Sequence, residues 1–160
     1  MADFNNSTND TVISGRSNQN HTIYNTGNNV TIYGAVNSSN YPYADAGKDY
    51  IENTGNNVLI YADDKNDTIV NRGTGTFIDS GSGNDKVTSY GRNTTIYSGH
   101  GDDTIINYGD NSIITLGTGN NSVNAYANNV VVKVWFHAAI KQFNRKPVQA
   151  HQLKAVIPTI

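Results

Sequence analysis

Ser80-Gly81-Ser82-Gly83-Asn84-Asp85-Lys86-Val87 and, eighteen residues on, Ser98-Gly99-His100-Gly101-Asp102-Asp103-Thr104-Ile105 are two copies of one phrase. Each is a glycine-alternating turn, then a carboxylate, one further residue and a β-branched aliphatic. The aliphatic recurs every nine residues, as Ile51, Ile60, Ile69, Ile78, Val87, Ile96, Ile105, Ile114, Val123 and Val132. A period of nine fits neither a helix nor a single strand. It describes a supersecondary unit that returns to a core once per nonapeptide.

The carboxylate sets a second, longer period. Two residues before every other aliphatic stand Asp49, Asp67, Asp85, Asp103 and then Asn121, eighteen apart. The intervening units carry Gly55-Asn56-Asn57, Gly73-Thr74-Gly75, Gly91-Arg92-Asn93 and Gly109-Asp110-Asn111, without the acid at that place. Two nonapeptides per coil is the natural reading. Strands as short as Lys86-Val87-Thr88 cannot stand alone, but stacked in parallel they pair at about 4.8 Å per rung. Ile51, Ile69, Val87, Ile105 and Val123 should then line one sheet, and Ile60, Ile78, Ile96, Ile114 and Val132 the other. Five coils make a rod about 24 Å long. Tyr90, Tyr108 and Tyr126, also eighteen apart, should stack at one corner.

These loops resemble the RTX (hemolysin-type) calcium-binding nonapeptide, G-G-x-G-x-D-x-U-x. The resemblance covers roughly residues 44–132, and residues 80–88 and 98–106 keep every position except the first glycine. It implies an all-β fold, a right-handed parallel β-roll (β-solenoid), with calcium held between equivalent loops of successive coils. Calcium takes six to eight oxygens from carboxylates and carbonyls. The best site implied uses Asp85 and Asp103 with the loop glycines Gly81, Gly83, Gly99 and Gly101. Asp67 with Asp85 comes next, then Asp49 with Asp67, where most glycines are missing. A site between Asp103 and Asn121 loses a charge. The alternative for each acid is a turn carboxylate that caps backbone amides.

The opposite edge carries Asn57, Thr76, Thr94, Ser112 and Val130 at the place assigned to the acid and should bind no calcium. Its Asn and Thr side chains can instead hydrogen-bond from coil to coil. Asp102 and Asp110 read as solvated, and His100 as an exposed loop side chain. His21, His137 and His151 share no spacing that suggests zinc.

Residues 1–43 read as irregular coils of the same roll. Asn25-Thr26-Gly27-Asn28-Asn29-Val30-Thr31-Ile32-Tyr33 nearly repeats Asn53-Thr54-Gly55-Asn56-Asn57-Val58-Leu59-Ile60-Tyr61, and Asp10 precedes Val12 as Asp85 precedes Val87. Ile32 and Ile51 are 19 apart, read as one coil plus one residue, with a bulge or loop at 35–44 around Tyr41-Pro42-Tyr43. Residues 133–160 drop the pattern. Val134-Trp135-Phe136 and the residues to Phe143 should begin as a strand and become a short helix before Pro147. A folded cap over the open end of the roll and a disordered tail are both compatible with that stretch, and a basic surface segment is a third reading.

Composition narrows the classes. The chain has 160 residues, no Cys, 15 Gly and 25 Asn, so a single domain without disulfides or thiolate sites is expected. Its totals alone resemble those of a disordered chain. Residues 1–132 hold thirteen acidic and six basic residues, a balance of −7, whereas 133–160 hold five basic residues and no acid. The overall charge of −2 argues against a nucleic-acid binder. No membrane span is visible, and the start has neither the basic region nor the apolar run of a signal peptide. No G-x-S-x-G, H-E-x-x-H or Walker loop points to an enzyme. The first expectation is a calcium-binding module of a secreted or surface bacterial protein. The others are a structural or adhesive rod with little metal dependence, and a C-terminal piece of a secreted RTX enzyme or toxin. Outward residues such as Tyr61, Asp79, Tyr97 and Thr115 are too mixed for an ice-binding plane.

Overall fold

A computed structural model describes residues 2–16, 19–36, 47–135 and 138–145. Among these residues, fifteen strands build two parallel sheets. The eight-stranded sheet holds β1 (Ala2–Asn6), β3 (His21–Asn25), β5 (Tyr50–Asn53), β7 (Thr68–Asn71), β9 (Lys86–Ser89), β11 (Thr104–Asn107), β13 (Gly119–Ala125) and β15 (Ala138–Arg145). The seven-stranded sheet holds β2 (Val12–Arg16), β4 (Thr31–Val36), β6 (Leu59–Tyr61), β8 (Phe77–Asp79), β10 (Thr95–Tyr97), β12 (Ile113–Leu116) and β14 (Val131–Val134). The chain changes sheet at every turn and comes back one rung further along. The result is a β-solenoid of about seven turns, with no helix among the described residues.

Each strand of the repeat turns its aliphatic inward. In register, Phe4, Ile23, Ile51, Ile69, Val87, Ile105 and Val123 form one column. Ile13, Ile32, Ile60, Ile78, Ile96, Ile114 and Val132 form the other. Ile23 through Val123 and Ile32 through Ile114 are fully buried. One aliphatic per half-coil is enough because the next coil covers it. Ring columns dress the outside: Tyr90, Tyr108 and Tyr126 stack at 5.1 Å, as their spacing predicts.

The coil step is 18 residues from β5 to β13, 19 from β1 to β3 and 28 from β3 to β5. Ile32 and Ile51 therefore lie on opposite sheets, separated by half a coil plus ten residues rather than a coil plus one. The extra length falls between β4 and β5, and Tyr41-Pro42-Tyr43 lies there, outside the described residues. The first coils are less regular, as expected: β2 pairs with β4 across a register shift between Ser14 and Arg16, and Ile13 rather than Val12 turns inward, so Asp10 does not stand in the place of Asp85.

The C-terminal segment also departs from expectation. Instead of turning helical, residues 138–145 form β15, which pairs parallel with β13 across a register shift between Asn121 and Ser122. The edge of β13 had no partner, and β15 satisfies it while setting Phe143 in register with Val123. Phe136, His137, Lys146, Pro147, His151 and Lys154 lie outside the described residues.

Candidate functional site

The turns that lead from the seven-stranded to the eight-stranded sheet place Asp49, Asp67, Asp85 and Asp103 immediately before β5, β7, β9 and β11. Their eighteen-residue spacing stacks them in one row, and each is at least 97% buried. Every carboxylate does the same work. Its Oδ1 accepts the backbone N–H of the equivalent residue one coil earlier, His21 to Asp49 (2.7 Å), Asp49 to Asp67 (2.7 Å), Asp67 to Asp85 (2.8 Å) and Asp85 to Asp103 (3.0 Å). Asn121 extends the row by accepting from Asp103 at 3.0 Å. The alternative of a carboxylate capping an amide thus accounts for Oδ1.

It leaves Oδ2 unexplained. In all four aspartates this oxygen is buried without a hydrogen-bond partner. A buried carboxylate so placed is costly, since nothing replaces the water it has lost. Burial accordingly pushes the carboxyls up, to about 7 for Asp49, about 9 for Asp67, about 7 for Asp85 and about 6 for Asp103. The accepted amide pulls each value down, and neighbouring carboxylates raise it again, Asp85, Asp49 and Asp63 in the case of Asp67. Nearby Ser80 and Ser98 hydroxyls relieve Asp85 and Asp103 in part, whereas Ala62 stands at the corresponding place before Asp67.

The row ends differently on its two sides. His21 stands two residues before Ile23, as Asp49 stands before Ile51, and is equally buried. Its Nε2 accepts the Arg16 N–H at 3.0 Å, so the proton sits on Nδ1, 3.1 Å from Asp49 Oδ1. Burial lowers its pKa. The spacing to Ile23 was the signal for this role. At the other end Asn121 carries no charge, and its Nδ2 donates to the carbonyls of Gly117 (3.3 Å) and Gly119 (3.5 Å).

The loop glycines sit beside this row. Gly81 (φ 87°), Gly83 (135°), Gly99 (69°) and Gly101 (130°) all take positive φ. A Cβ on Gly99 would lie 1.7 Å from the Gly81 carbonyl oxygen, so the loops approach as closely as backbone allows. They are tied without a metal: His100 N–H donates to Gly81 O (2.8 Å), Ser82 N–H to Asp63 O (2.8 Å) and Gly83 N–H to His100 O (2.7 Å). The polar atoms along this edge, the loop carbonyls and the unpartnered Oδ2 atoms, are oxygens, the ligand type a hard cation takes, though Gly81 O and His100 O already accept amides between coils. The carboxylates are strung along the rod, and among the described residues no three His, Asp or Glu side chains converge on one point.

The opposite edge is built from neutral groups, with one change from expectation. Two residues before Ile60 stands Val58, not Asn57, so the position runs Val58, Thr76, Thr94, Ser112, Val130, all buried. Asn57 sits one place earlier with φ 56°, in a left-handed column shared with Asn29, Asn93, Asn111 and Asn129. A second column is internal. Asn6, Asn25 and Asn53 each donate Nδ2 to the Oδ1 of the next, ending on Asn71, at 2.8–2.9 Å. Asp102 is exposed and Asp110 half-buried, and both hold neighbouring coils, accepting from Asn120 N (2.8 Å) and Asn128 N (2.9 Å). His100 is exposed, as expected, with Nδ1 2.8 Å from Thr118 Oγ1.

No protein-family model matches the chain, and comparison with curated proteins and with solved structures finds no match.

Proposed function

We propose that this chain is a calcium-binding β-roll module of the RTX type, working as a rod in a secreted or cell-surface bacterial protein. The observation that carries the reading is the row of four buried Oδ2 atoms without a partner. Such a row calls for positive charge, and calcium supplies it. Asp85 and Asp103, with carbonyls of Gly81, Gly83, Gly99 and Gly101, are the best-equipped pair. Asp67 with Asp85 and Asp49 with Asp67 follow, and Asn121 ends the series. Calcium at extracellular concentration would then stiffen a rod that is less stable at cytosolic calcium.

Thermal unfolding followed by far-UV circular dichroism, with calcium and with chelator, tests this. Saturating calcium is expected to add about 2.7 kcal/mol at a hundredfold excess over Kd. Terbium should luminesce when tyrosine is excited. An unchanged melting curve together with dark terbium would remove calcium from the reading.

A second reading keeps the rod and drops the metal. It rests on the asparagine columns and the backbone bonds between loops, which join the coils with neutral groups alone. The same experiment separates the two, since a metal-independent rod melts identically in both buffers.

A further inference from the structure

The outer face of the seven-stranded sheet carries a run of rings. Tyr33, Tyr61, Phe77 and Tyr97 follow one another with centroids 5.3, 5.7 and 5.5 Å apart. The run stops at Tyr97, because the next strand offers Thr115 in register and the one after it Lys133. Two residues beyond Lys133 stands Trp135, 66% exposed. Tyr97 and Trp135 line one cavity of about 250 Å³, with Thr115 and Leu116 between them and Asp79 and His100 at its side. The cavity therefore occupies the rung where the ring column is interrupted. We propose that it is a binding slot for a single pyranose ring of a glycan, inserted between Tyr97 and Trp135.

The size fits one ring, since sites for drug-sized ligands begin near 300 Å³. Flanking aromatic faces, electron-rich at their centres, match the C–H faces of a sugar ring. The side of the slot offers what hydroxyls need. Asp79, whose carboxyl burial pushes up, meets no lysine or arginine partner among the described residues. His100 is held through Nδ1 by Thr118, and its other nitrogen has no protein partner among the described residues. Asp79 already accepts the Gly81 backbone amide, so its carboxyl is partly satisfied and the surroundings favour a neutral polyol over a cation. A planar aromatic guest would fill the same volume but leave these polar groups unused.

Trp135 is the only tryptophan in the chain, so its emission reports on the slot directly. The full chain in calcium buffer is titrated with the methyl glycosides of glucose, galactose, mannose and N-acetylglucosamine. p-Cresol and tetramethylammonium stand for an aromatic and a cationic guest. At least one glycoside is expected to change the emission saturably, with Kd about millimolar. Thr115→Tyr, which fills the interrupted rung, should weaken that binding by about tenfold or more. His100→Ala, read by the same emission, should weaken it without filling the slot, and circular dichroism verifies that each variant folds. Silence with all four glycosides overturns the proposal. So does a response to p-cresol or tetramethylammonium alone, or wild-type binding in both folded variants.

Discussion

Asp85→Asn isolates the cost of the buried carboxylate row. The substitution keeps Oδ1, so the bond from the Asp67 amide survives. It replaces the unpartnered Oδ2 with an amide nitrogen, and Asn121 shows where that nitrogen goes. Its Nδ2 reaches the carbonyls of Gly117 and Gly119, whose counterparts two coils earlier are Gly81 and Gly83. In wild type the Asp85 carboxyl stands at about 7, against an ordinary aspartate value of 3.8. Three units or so correspond to an upper value of about 4 kcal/mol. The sign follows from proton counting. Between the two values the folded chain binds more proton than the unfolded chain. Metal-free stability is therefore full below pH 3.8 and is lost as pH rises through about 7. Asn carries no such loss. In chelator, wild type and variant should melt together near pH 4 and diverge as pH rises, the variant higher by up to roughly 8–16 °C. In calcium the order should shrink or reverse, because the variant lacks a ligand shared by two proposed sites. The assay is thermal circular dichroism over a pH series in both buffers. A variant that melts lower than wild type above neutral pH in chelator, or a gap that ignores pH, would refute the reasoning.

Two other perturbations probe the stacking itself. Ile96→Ala empties a fully buried position between Ile78 and Ile114 and should cost about 2–5 kcal/mol in urea unfolding. Gly99→Ala puts a Cβ against the Gly81 carbonyl at a φ of 69°, so the loop stack must open. A loss of about 1–3 kcal/mol is expected, and hydrogen exchange should locate it at residues 80–103; uniform protection there would contradict the close approach.

The nine-residue register was sufficient to place both inward columns, the tyrosine stack and the carboxylate row, because a solenoid repeats one local environment. It failed where the chain changed length inside a turn. Tyr41-Pro42-Tyr43 marked an interruption at 35–44, but the count of 19 from Ile32 to Ile51 reads more simply as one coil plus one residue than as half a coil plus ten. The tail misled for a different reason. Ala138, Ala139 and Lys141 are good helix formers, but the unpaired edge of β13 outweighs a weak local preference. Asparagine was legible as abundant but not as organised. Its three uses, side-chain column, left-handed corner and acceptor for the next coil's amide, are indistinguishable by composition. The unpartnered Oδ2 atoms belong to the same class, since a sequence shows a carboxylate but not which of its oxygens is satisfied.

Each coil of this molecule bonds only to the coil before it and the coil after it, and from β5 to β13 all steps are equal. Length is therefore an adjustable quantity. Excising residues 68–85 would seat Asp67 directly before Lys86, and its amide would find Asp103 Oδ1 where Asp85 Oδ1 had been. Such a rod can be lengthened or shortened in whole coils, about 4.8 Å at a time, without redrawing its cross-section. Every regular coil gained or lost between Asp49 and Asp103 also adds or removes one carboxylate of the buried row, so reach and the number of buried acids are geared to the same count.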